Sequence, residues 1–100
     1  MISFMAFIVR GIIHDLQTYT GTSQKGNRYT KTVVTIGGYP FSFFNLKENT
    51  LRINMEIEFV FVQKDRYYNA INHTLKILRY SVRSDAAAPT QFRPVPINSR

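Results

Sequence analysis

Apolar and polar residues alternate along parts of this chain, most clearly over Ile53–Val62 and the second half of Arg28–Ile36, and no stretch shows a convincing helical spacing. From Phe4 to Gln17, Phe7, Val9 and Ile13 fall on one side of a strand, and Ile8, Ile12 and Leu16 on the other. Two apolar faces predict a strand covered on both sides for part of its length, as in a small closed barrel. Gly11 in its middle predicts a bulge or bend through which one strand serves two sheets. A second strand is predicted over Arg28–Ile36, rich in Thr and Val. Gly37-Gly38 then predicts a tight hairpin. A third strand follows over Tyr39–Asn45, with Tyr39, Phe41 and Phe43 on one face and Pro40 suited to a strand beginning at an edge.

Leu46–Arg52 is polar and reads as a longer connection, either one helical turn or a plain loop. The clearest period of two lies in Ile53–Val62, where Ile53, Met55, Ile57, Phe59 and Phe61 alternate with Asn54, Glu56 and Glu58. Lys64, Asp65 and Arg66 mark a turn, and a fifth strand is predicted over Tyr67–Tyr80 with Ile71, Leu75 and Ile77 inward. Five strands with one longer connection between the third and fourth predict an all-β fold. The best fit is a five-stranded Greek-key barrel, the OB-fold, with an SH3-like barrel as the rival. From Ser81 onward the period disappears and three of the four prolines accumulate, which predicts a flexible tail over 81–100 behind a domain over 1–80.

Between the first two strands the pattern changes character. Thr18–Lys31 holds two tyrosines, three cations (Lys25, Arg28, Lys31), five Thr or Ser residues and no acid. A basic hairpin wing that buries little of itself is the natural reading, and its rings and charges are then free for a partner. The whole chain of 100 residues carries +7 and no cysteine. This size makes one domain, the charge favours a polyanion, and disulfides and thiolate chemistry are excluded. The apolar run Met1–Val9 lacks a charged segment before it and a small-residue cleavage site after it, so it reads as a core strand and the expected location is cytoplasmic.

Single strands of nucleic acid need cations for phosphates and flat rings for bases. The candidate phosphate contacts are Lys25, Arg28 and Lys31, with Arg10 and Arg52 in support. The candidate stacking rings are Tyr19, Tyr29, Tyr39 and Phe41, while Phe43 is read as core. Tyr67-Tyr68 stays open between capping the barrel, stacking a base and packing a partner copy. Enzyme chemistry finds little support. His14 and His73 stand without motifs and read as structural, Glu56 and Glu58 read as a solvated face, and no metal or cofactor site is expected.

Gly21, Ser23, Gly26 and Tyr29 in G-T-S-Q-K-G-N-R-Y-T, with Tyr39-Pro40 ten residues further on, resemble the DNA-binding wing of the gene-five-type single-stranded DNA-binding proteins of filamentous bacteriophages. Arg28 stands where several members have proline, and Gln24 where some have arginine, with Lys25 beside it. The resemblance implies an OB-fold, a symmetric homodimer, and cooperative coating of single-stranded DNA during replication and packaging. Two other readings of the same wing are a protein-interaction module for an acidic partner and a single-stranded RNA-binding repressor.

Overall fold

The computed structural model describes residues 5–82 and 89–95. It is all-β: β1 (Met5–Thr22), β2 (Arg28–Ile36), β3 (Tyr39–Phe44), β4 (Glu56–Lys64), β5 (Tyr67–Ala70), β6 (Lys76–Arg79) and β7 (Gln91–Pro94), with one 3-10 turn at Asn72–Thr74. The pairings run β1–β2–β3–β5–β4 and return to β1, so the strands partly ring a single core. All are antiparallel except β3–β5, which meet in parallel at Ser42 and Asn69.

β1 pairs with three strands of one sheet: residues 5–12 with β4, residues from Ile13 to Thr22 with β2, and Phe7–Arg10 also with β7. The register shift lies between Ile13 and Asp15, so the irregularity falls at His14 and not at Gly11. Gly11 is needed for another reason. A Cβ there would stand 2.5 Å from the Ile36 side chain and 3.0 Å from Thr90 Oγ1. Gly37 and Gly38 both have positive φ, as a two-residue hairpin turn of this kind requires.

The core follows the predicted parity. Val9, Ile13, Val34, Ile36, Phe41 and Phe43 meet Met55, Ile57, Phe59 and Phe61, with Leu51 closing the group. Ile53 departs from it and is half exposed, because β4 begins only at Glu56 and Ile53-Asn54 form a turn, with Asn54 at φ 74°.

Two further departures lie at the C-terminal end. The strand expected over Tyr67–Tyr80 is broken into β5, the 3-10 turn and β6, all along one edge of β4. Thr74 explains how the break is tolerated. Its hydroxyl accepts the Val60 N–H (2.8 Å) and donates to the Ile71 carbonyl (2.6 Å), replacing a missing rung of the ladder. The expectation of flexibility from Ser81 also fails in part. Val82 is buried with its N–H on the Asn54 carbonyl (2.8 Å), and β7 pairs with Phe7–Arg10 of β1. Since β4 already holds residues 5–12, β7 takes the opposite edge of β1. Pro94 is tolerated there because an outer strand has an edge without a partner. The parts of the tail at 83–88 and 96–100, like the start of the first strand at Phe4, lie outside the described residues. Among those residues, no helix is long and apolar enough to cross a membrane.

Candidate nucleic-acid interface

The wing is a two-stranded ribbon. β1 and β2 stay paired out to Thr22–Arg28, well beyond the expected strand end at Gln17, while β3 accompanies β2 only from Lys31 onward. Ser23–Asn27 closes the ribbon. The Ser23 N–H donates to the Asn27 carbonyl (2.7 Å), the Gly26 N–H to the Ser23 carbonyl (2.9 Å) and the Asn27 N–H to Ser23 Oγ (3.2 Å). Gly26 sits at φ 86°, where a side chain is strained. At the ribbon's root the Thr30 N–H donates to Asn45 Oδ1 (3.1 Å), and the Asn45 N–H donates to the Thr30 carbonyl (2.9 Å).

Strand register sorts the wing residues into two faces. Lys31 lies opposite Tyr19 on β1 and opposite Phe44 on β3, so these three form one row across the sheet. Tyr29 lies opposite Gly21, two residues along on the same face. Tyr19 and Phe44 are 50% and 41% exposed, so the row faces outward. The Tyr29 ring packs against Phe44 with centroids 6.1 Å apart. Gly21 makes room for it: a Cβ there would come within 2.5 Å of the phenol. Gly21 thus serves the placement of the Tyr29 ring rather than a turn. The Tyr19 hydroxyl donates to Gln17 Oε1 on the same face.

Thr18, Thr20, Thr22, Thr30, Thr32 and Arg28 point to the other side. There the ribbon and the β3–β4 connection line a cleft of about 430 Å³, to which the connection brings both Lys47 and Glu48. Lys25 sits at the exposed tip. Among the described residues, Lys25, Arg28 and Lys31 make no ion pair.

The remaining candidates are placed elsewhere. Arg52 is exposed in the β3–β4 connection. Arg10 is committed to Glu56: its Nε donates to Oε2 at 3.3 Å, while Arg79 Nε donates to Oε1 at 2.7 Å. Glu56 is only 2% exposed, which corrects the reading of Glu56 and Glu58 as a wet face. β1 and β6 flank β4 there, and their arginines cover the carboxylate. The Arg79 hydrogen bond holds this carboxyl below its ordinary range against the upward push of burial, and Arg10 adds to the lowering. Glu58 pairs with Arg93 of β7 at 3.6 Å.

Phe41 is fully buried, with its ring 4.8 Å from Phe61 and 5.3 Å from Phe59, so it is core and not a stacking platform. Tyr39 is 46% exposed but stands at the opposite end of β3 from Phe44, edge-on to Tyr68 and Phe92. Phe44 was missed as a site residue. Its signal was legible, since a period of two that turns Phe43 inward turns Phe44 outward. Phe92 had no such signal, because nothing in the irregular tail marks it for a strand. Among the described residues, no group of three or more His, Asp or Glu is placed to hold a metal ion. No protein-family model, curated protein or solved structure in the comparisons matches this chain.

Proposed function

We propose that this chain is a non-catalytic, cooperative single-stranded DNA-binding protein of the gene-five type, built on an OB-fold. The observation that carries the reading is the Tyr19–Lys31–Phe44 row with Tyr29 beside it: a cation set between exposed rings, on a ribbon without an acidic residue from 18 to 31. A lysine between two rings suits a phosphate whose neighbouring bases stack on either side, and such stacking is indifferent to base identity. Lys25 at the tip and Arg28 on the reverse face extend the contact to further phosphates. The strand order supports the OB assignment: β1–β2–β3–β5–β4 partly ring one core, as expected of a five-stranded, partly open Greek-key barrel. A homodimer and coating of replicated strands for packaging follow from the resemblance of the wing.

Fluorescence anisotropy of labelled dT oligomers at two salt concentrations, with duplex of equal length as control, tests this reading. Tight, length-dependent and salt-sensitive binding to the single strand with weak duplex binding is expected. Equal, weak binding to both would remove the proposal.

A further inference from the structure

A second aromatic group stands at the other end of β3 from the ribbon row. Tyr39, Tyr68 and Phe92 rim a hollow of about 210 Å³, floored by the buried Phe41 and Phe61. Phe7 forms part of the wall, and Gln63 brings the one amide. The rings hold one another edge-on. Tyr39 meets Tyr68 at 70° and Phe92 at 81°, and Phe61 meets Tyr68 at 74°. Such contacts fix each ring before any ligand arrives, so little ordering remains to be done on binding.

Size and chemistry both restrict the occupant. The hollow is smaller than the roughly 300–1,000 Å³ of sites for drug-sized molecules, which leaves room for one flat ring. Aromatic walls supply π-surface, and the Gln63 amide supplies a donor and an acceptor for the edge of a heterocycle. Gln63 opposes Tyr68 across the β4–β5 hairpin. The end of β4 and the turn after it hold exposed Lys64, Asp65 and Arg66, two cations to one acid. An anionic group attached to the ring therefore meets net positive charge.

We infer that this hollow takes one unstacked base of the bound strand, with Tyr39, Tyr68 and Phe92 around the ring and Gln63 on its edge. The inference rests on the single-stranded DNA reading and adds a site separate from the ribbon. Tyr39 and Phe44 are the first and last residues of β3, about 17 Å apart at strand rise, and they alternate to opposite faces. One strand occupying both sites must pass around the end of the sheet, and β7 contributes to binding by carrying Phe92.

The test uses the full chain and a dT oligomer carrying 5-iododeoxyuridine. Photo-crosslinked peptides are mapped, and anisotropy is measured in parallel for Phe92→Ala and Gln63→Ala. Both side chains are exposed, and thermal unfolding checks that each variant is folded. Crosslinks to Tyr39 or Tyr68 in addition to the ribbon are expected, with Phe92→Ala weakening binding about fivefold or more. Its salt dependence should match the parent, because no charge is lost. Crosslinks confined to the Tyr19–Phe44 row, with both variants binding like the parent, would overturn the hollow and leave the ribbon reading standing. A parent protein that binds no single strand would overturn both.

Discussion

The outer side of β4 and the β1–β2 ribbon each hold three cations and use them in opposite ways. Arg10, Arg79 and Arg93 converge from β1, β6 and β7 on Glu56 and Glu58, and their charge is spent on holding strands together. Lys25, Arg28 and Lys31 meet no carboxylate among the described residues. The lesson is that net charge alone does not locate a binding face. What matters is which cations the fold has already matched, and the ribbon, with no acid from 18 to 31, carries +3 of the chain's +7.

Removing a ring from each face of the sheet, Phe41 of β3 inside and Tyr29 of β2 outside, should break the comparison most sharply. Phe41→Ala opens a cavity in the core and should cost about 3–5 kcal/mol in urea or thermal unfolding. Tyr29→Ala, on the outer face, should cost about 1 kcal/mol or less in stability. A Phe41→Ala protein as stable as the parent would place that ring outside the core after all.

Glu56→Gln attacks the matched side. Gln keeps one acceptor oxygen for one arginine and turns an N–H donor toward the other, so the lost charge and the lost bond should destabilise the fold by about 1.5–3 kcal/mol, tempered by arginines that can return to water. Affinity for dT should be unchanged. The pH dependence has a definite sign. Folding lowers the Glu56 pKa from its ordinary 4.5, so its stabilisation is present above that value and is lost as pH falls through the lowered one. An acid unfolding series should therefore show a smaller loss of stability in Glu56→Gln than in the parent. Equal losses would assign the acid sensitivity to other groups.

Tyr29→Ala addresses the unmatched side. Affinity for dT oligomers should fall by about 1–3 kcal/mol with folding retained. Gly21→Ala should act in the same direction by displacing that ring, and unimpaired binding by both would take Tyr29 out of the interface.

The smallest effect separates the two sets of cations directly. Lys31→Ala should reduce the slope of log affinity against log salt by about 0.7, one phosphate contact on a single strand. Arg79→Ala should leave that slope alone while lowering stability. If Arg79 shifts the slope and Lys31 does not, the roles assigned here are reversed.

Much of this molecule was legible along the chain. The bounds of β2 and the start of β3, the Gly37-Gly38 turn and the inward parity of Met55 to Phe61 all follow from local alternation and turn residues. The ribbon's composition placed Tyr19, Tyr29 and Lys31 on it, and alternation within β2 puts Tyr29 and Lys31 on one face. These features depend on residues only a few places apart, and period two decides them without reference to anything distant. Tertiary structure decided what lies over each face. Glu56 and Phe41 look like any outward and inward strand residue. Only the register between strands puts Arg10, 46 positions away in sequence, onto Glu56, and Phe59 and Phe61 against Phe41. The docking of β7 is of the same kind. Its four residues carry no pattern of their own and become a strand because β1 offers them an unpaired edge and Phe92 finds an aromatic surface to cover. Alternation states which way a side chain points; only the packed fold states what it meets there.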